Sequence, residues 1–272
     1  MGRDMPNESN ADAPITLLGI GRSGTSLLEA CFRAQPNIQS IGESSSLIFS
    51  TANGAHSALM PSANQFPDRY DYDGYVIRRL LVALEPSGRA RWFHKPIGVP
   101  KLLNWWFLPG EKSTNGFPVE WYWRVLDAAF PRGKYLACLR NPWDVVLSWQ
   151  RFAGWKQKDL WRDVLISYRV IGHRLNRFET ILSFDDLINR PSETLERVFA
   201  VMDLPMVEGA LAAYERPRSM KGNQIMRSHK EFWSTCERPN ISEEEAGAIV
   251  AIWKGLGFSF ESPVEYSSLF RF

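Results

Sequence analysis

The stretch from Ile15 to Leu28, ITLLGIGRSGTSLL, constrains the fold more than any other part of the chain. Its apolar start, Ile15 to Gly19, predicts a short buried strand followed by turn residues. From Gly24 the period changes: Leu27, Leu28, Cys31, Phe32 and Ala34 recur at helical spacing until Pro36 stops them. A strand, a glycine-rich turn and a helix open an α/β unit whose helix N-terminus is built to receive an anion.

The rest of the chain repeats that alternation. Arg91 to His94 predicts a strand ended by Lys95-Pro96, and Tyr135 to Leu139 another. Pro118 suits the first turn of a helix carrying Val119, Tyr122, Val125, Leu126 and Ala129. Asn141-Pro142 starts a helix with Val145, Val146, Trp149 and Phe152 inward, and a longer helix runs from Asp159 to about Asn176. A strand at Thr180 to Phe184 and a helix at Pro191 to Met202 follow. Ser242 with Glu245 forms a capping box for a last helix ending near Gly255. Residues 50–74 and 104–118, rich in Gly, Pro, Asn and Ser, predict irregular segments. The expected fold is α/β: a single domain with a mainly parallel sheet flanked by helices. Residues 1–13 are polar and read as a flexible leader, with the domain over 14–272.

Composition narrows the function classes. The 272 residues are 44% hydrophobic and 23% charged, enough to bury a real core. Thirty-two Lys and Arg against 30 Asp and Glu leave a formal charge of +2, too even for a general nucleic-acid binder. An anion must therefore be caught at a local site. Cys31, Cys138 and Cys236 are odd in number and widely spaced, which favours a reducing, cytoplasmic setting over a disulfide framework. His56, His94, His173 and His229 show no zinc-ligand spacing, and no apolar run reaches a membrane span.

Three readings compete for the glycine-rich turn. Gly19-Ile20-Gly21-Arg22-Ser23-Gly24 fits the GxGxxG of a dinucleotide site, with Glu43 nineteen residues on as the ribose acid of an NAD-linked oxidoreductase. Arg22 inside the loop, and Thr25 and Ser26 at the helix start, count against it. A kinase-type P-loop lacks its Gly-Lys-Ser/Thr ending. In the third reading Gly21, Ser23, Gly24, Thr25 and Ser26 cradle a phosphate, and Arg22 supplies the charge that a metal supplies elsewhere. A nonenzymatic nucleotide-binding protein would keep this cradle without a working base.

Residue by residue, Gly21–Ser26 resembles the 5′-phosphosulfate loop of sulfotransferases that use 3′-phosphoadenosine 5′-phosphosulfate (PAPS). Arg140-Asn141-Pro142-Trp143-Asp144-Val145-Val146-Leu147-Ser148 is similar to that family's 3′-phosphate signature, an Arg at a strand end with Ser eight residues on. Phe184-Asp185-Asp186-Leu187 through Pro191 is similar to the segment near the adenine. Met220-Lys221-Gly222-Asn223 resembles the basic lid of the cytosolic members but lacks its leading Arg. The resemblance implies a P-loop NTPase-like sulfotransferase fold, PAPS as sulfuryl donor, 3′-phosphoadenosine 5′-phosphate (PAP) as product, and no metal. It assigns Arg140, Ser148, Phe184, Lys221 and Gly222, with the loop, to the nucleotide.

Sulfuryl transfer needs a base for the acceptor's proton and cations for the charge that grows on the leaving oxygen. Arg22 and Lys95 are the candidate cations. Glu43, seven residues after Pro36 and preceded by Gly42, resembles the base of the tyrosylprotein branch, and His94 resembles the strand-end histidine of the cytosolic branch. Trp105, Trp106, Phe107, Trp121, Tyr122 and Trp123 offer aromatic surface for a small or medium-sized acceptor, although Tyr122 equally suits the core. Residues 50–74 are expected to face that acceptor.

Overall fold

The computed structural model describes residues 13–44, 74–80, 91–96, 119–153, 157–215, 230–234 and 237–270. Five parallel strands form one sheet in the order β2-β3-β1-β4-β5. They are β1 (Ile15–Gly19), β2 (Ile38–Glu43), β3 (Arg91–Lys95), β4 (Lys134–Leu139) and β5 (Phe178–Ser183). β1 lies at the centre, all five of its residues buried, and pairs with β3 on one side and β4 on the other. Strands covered on both faces are mostly apolar, as ITLLG and YLACL are, and the one buried hydroxyl of ITLLG, on Thr16, is paired with His94.

Helices cover the two faces. α1 (Thr25–Arg33) packs with α7 (Pro191–Val201) and α8 (Glu208–Glu215) on the face made by Ile15, Leu17, Leu136 and Cys138. The other face receives α3 (Val119–Ala129), α4 (Pro142–Ala153), α5 (Gln157–His173) and α10 (Glu243–Gly255). A further helical segment, α2, spans 74–80, and α9 (Lys230–Trp233) packs on α4. The helices after β1 and β4 thus leave on opposite faces, which opens a crevice at the carboxyl edge of the sheet.

Several expectations need correcting. β2 is an edge strand, IQSIGE, whose polar and half-exposed residues gave no alternation to read. β5 ends at Ser183 because its side chain caps a short helix, α6 (Phe184–Asn189), accepting from the Asp186 N–H at 3.0 Å. α5 stops at His173, before a 3₁₀ turn at Leu175–Arg177. Phe152 points outward, 46% exposed, and does not join the core. Tyr122 and Trp123 are fully buried, their polar atoms donating to the carbonyls of Pro96 and Val170, so neither forms acceptor surface. The Ser242–Glu245 capping box is present, with both reciprocal bonds.

Residues 50–73 of the segment expected to face the acceptor, Trp105 to Phe107, the side chain of Trp121, Lys221, Gly222 and Cys236 lie outside the described residues. Cys31 and Cys138 are free and buried. No helix among the described residues is long and apolar enough to cross a membrane.

Candidate active site

The turn between β1 and α1 is held tight by the Ser23 N–H donating to the Ile20 carbonyl at 3.2 Å. Gly21 is required by crowding: a Cβ there would lie 2.4 Å from the indole of Trp149. Gly24 is required twice, by a φ of +88° and by the Phe184 ring, 2.7 Å from where its Cβ would stand. Arg22 adopts a φ of +75°. The first turn of α1 carries no side-chain cap and no acidic residue. Its N–H groups therefore face the crevice with the positive end of the helix dipole. The Ser23 hydroxyl is buried without a hydrogen-bond partner in the structure. A glycine cradle, an orphaned hydroxyl and an uncapped helix N-terminus fit a phosphate group.

Two arginines converge beside this turn. Arg22 Nε donates to Ser148 Oγ at 3.1 Å, and its guanidinium lies 4.6 Å from the centre of the Phe152 ring. Arg140, at the end of β4, donates to the Arg22 carbonyl at 3.3 Å and stacks 4.4 Å over the Phe184 ring. Tyr168 fixes the Arg140 backbone by donating to its carbonyl at 2.6 Å. Burial pushes both guanidinium pKa values down, and Asp144, 3.9 Å from Arg140 Nε, opposes that shift at Arg140. A cleft of about 400 Å³ opens next to Arg140, lined among others by Asp144, Asp185, Trp233 and Phe258. Arg22, Arg140, Ser148 and Phe184, separated by up to 162 positions in sequence, thus share one corner of the crevice.

The remaining candidates divide between the faces of β3. Lys95 points toward α1: its Nζ donates to Ser26 Oγ at 3.1 Å and lies 2.9 Å from Glu29 and 3.9 Å from Glu43. Its side chain is 4% exposed, whereas that of Glu43 is 60% exposed. His94, the preceding residue, points to the opposite face against Phe130. Both ring nitrogens are engaged, Nε2 with Thr16 Oγ1 at 2.8 Å and Nδ1 with Ser44 Oγ at 2.9 Å. Burial lowers its pKa to about 3. Glu29, Asp144 and the hydroxyl partners of His94 were not singled out in the sequence. Glu29 and Asp144 left a signal there, each the one carboxylate of an apolar helix, TSLLEACFR and PWDVVLSWQRFA.

The buried neutral His94 carries a pH prediction. Its pKa is about 6.5 in an unfolded chain and about 3 in the fold, so between these values the unfolded state holds the extra proton. The stability it contributes is fully present above pH 6.5 and falls by up to about 1.4 kcal/mol per pH unit below it. Between pH 7 and 5 the melting temperature should drop by several degrees more for the wild type than for His94→Gln. Equal drops would show that His94 becomes charged within the fold.

Comparison with known proteins agrees with the architecture. The sulfotransferase family model matches residues 14–208, and the chain belongs to that family. Its fold is also that of the sulfotransferase domain of the Synechococcus PCC 7002 olefin synthase, at 16% identity and a TM-score of 0.62 over 94% of this chain and 98% of that one. A sulfotransferase domain from the curacin biosynthetic pathway superimposes with a TM-score of 0.61 at 17% identity, over 92% and 99% of the two chains. A sulfotransferase from Alicyclobacillus acidocaldarius gives 0.51 at 12% identity, over 95% and 99%. No curated protein matches the sequence significantly.

The strand order corrects the oxidoreductase alternative. A dinucleotide fold places its ribose acid on the strand beside β1. Here β3 separates β2, and with it Glu43, from β1.

Proposed function

We propose that this protein transfers the sulfuryl group of PAPS to a hydroxyl or amine of a small to medium-sized acceptor and releases PAP. The convergence of Arg22, Arg140 and Ser148 beside an uncapped, glycine-cradled helix N-terminus carries this reading. A ligand with phosphates at both ends of a nucleoside suits two anion sites one loop apart; a nicotinamide cofactor with a free ribose gives Arg140 and Ser148 no partner.

Placement supports a role for each described residue. Gly21, Ser23, Gly24, Thr25 and Ser26 hold the 5′-phosphosulfate with backbone N–H groups and hydroxyls. Arg140 and Ser148 hold the 3′-phosphate and Phe184 supports the adenosine; Lys221 and Gly222 keep the nucleotide-binding role that the sequence resemblance implies. Arg22 belongs to the loop by its backbone and to Ser148 by its guanidinium, so it serves the charge between the two ends. When bound, PAPS supplies an activated sulfuryl group, whose bond to the phosphate oxygen breaks as the acceptor oxygen or nitrogen bonds to sulfur. Lys95 neutralises the sulfuryl oxygens, and Glu43 takes the acceptor's proton. Exposed at the crevice mouth, Glu43 can reach an incoming acceptor, whereas the engaged and buried His94 holds β3 in place. Fixed cations on the protein do the electrostatic work that a divalent metal does in phosphoryl transfer.

The test is a thermal melt with PAP, with ATP plus Mg²⁺, with NAD and without ligand. At about 100 times its dissociation constant, PAP should add about 2.7 kcal/mol, a shift of several degrees that a chelator does not diminish. A shift with NAD alone would overturn the assignment.

A further inference from the structure

Glu29 sits on the second turn of α1, 12% exposed, facing the strands and not the solvent. Its two carboxylate oxygens make different connections. Oε2 lies 2.9 Å from the Lys95 ammonium. Oε1 accepts from the Ser40 hydroxyl at 2.9 Å, and the Ser40 hydroxyl in turn accepts from the Gly42 N–H at 3.2 Å. Ser40 and Gly42 flank the register shift in the pairing of β2 with β3, where Gly42 takes a φ of +70° just before Glu43. One carboxylate thus ties together the strand end that carries Lys95 and the irregularity that carries Glu43. A carboxylate this enclosed is costly unless its partners are fixed, and both of these are.

We infer that Glu29 is a positioning residue for sulfuryl transfer, which aims the Lys95 ammonium at the sulfuryl group and holds the bend that presents Glu43. The inference rests on the sulfotransferase reading given above. Lys95 has a long, flexible stem and three donors. Ser26 and Glu29 occupy two of them, so the third is turned toward Glu43 and the mouth of the crevice. Without Glu29 the ammonium is free to settle on Glu43, which spoils the cation and the base together. Arg33 reaches Glu29 Oε1 at 3.6 Å from the exposed side of α1 and does not replace Lys95.

The test needs no acceptor. PAPS and PAP carry comparable charge at their 5′ ends, so general repulsion by Glu29 largely cancels in the ratio of their dissociation constants. What remains is the contact to the sulfuryl group. Dissociation constants for both ligands are measured for wild type, Glu29→Gln, Lys95→Met and the double variant. Both single variants should shift the ratio against PAPS by about tenfold, the size expected for one charge-assisted hydrogen bond. The double variant should match Lys95→Met alone, because Glu29 acts through Lys95. An unchanged ratio in Glu29→Gln beside a shifted one in Lys95→Met would overturn the inference, as would independent, multiplying effects. Failure of the wild type to bind either ligand would instead overturn the sulfotransferase reading. Gln fills the volume of Glu, and the melt of each ligand-free variant checks its fold; should Glu29→Gln not fold, Glu29→Asp, too short to reach Lys95, should show the same shift.

Discussion

Arg140→Ala should weaken PAP binding by about a hundredfold or more while leaving adenosine 5′-phosphate within about threefold of wild type. The asymmetry arises from where Arg140 sits. It lies at the end of β4, 5% exposed, stacked on Phe184, with its carbonyl anchored by Tyr168. A phosphate dianion meeting a preorganised guanidinium there makes charge-assisted bonds in a poorly hydrated corner. Losing one partner of such a pair costs about 2–5 kcal/mol, and a hundredfold change corresponds to about 2.7 kcal/mol. The variant also uncovers a second cost. Asp144 and Asp185 line the same cleft, and without Arg140 less positive charge opposes theirs beside the ligand. On the proposed assignment adenosine 5′-phosphate avoids both penalties, because its only phosphate would lie on the loop and the N-terminus of α1. Isothermal titration with both ligands decides the matter. Equal losses for the two would remove Arg140 from the 3′ site.

The parts of this architecture that were legible in the sequence are those where local pattern and burial agree. ITLLG and YLACL are mostly apolar because β1 and β4 are covered on both faces, and the turn after β1 announces itself through Gly21, packed against Trp149, and Gly24, whose positive φ and contact with Phe184 call for glycine. Ser242 and Glu245 were legible for the same reason: a cap is a local bargain between residues three apart. Less could be read where the controlling partner is distant. β2 gains its shape from pairing with β3, and its own residues include a Gly and three polar side chains. Nothing in RWFHK says that consecutive residues His94 and Lys95 face opposite sides of the sheet until the strand exists, after which only Lys95 can meet the loop. Phe152 looked like a core residue by spacing, yet its ring meets the Arg22 guanidinium and the edge of Trp149 and leaves nearly half of its surface to solvent. The strand order, which separates Glu43 from β1, depends on the whole chain.

Glu43→Gln should lower turnover by about a thousandfold, within the range by which a positioned general base accelerates proton transfer, while PAP binds as well as before or more tightly. The amide keeps the side chain's size and can still accept a hydrogen bond, but it cannot take up the acceptor's proton. Losing the Glu43 charge lessens its repulsion of the nucleotide's phosphates, so binding and turnover should part company. His94 offers no substitute. A residue whose pKa burial lowers to about 3, and whose two nitrogens already serve Thr16 and Ser44, has neither the basicity nor the access. The measurement is the initial rate of PAP release from PAPS with a phenol as acceptor, next to a PAP titration of the same variant. A Glu43→Gln enzyme within tenfold of wild type would show that the acceptor arrives already ionised or that another group takes its proton. Lys95, held by Glu29, would then carry the cluster's part in the chemistry without Glu43, because its charge answers the sulfuryl oxygens whichever group removes the proton.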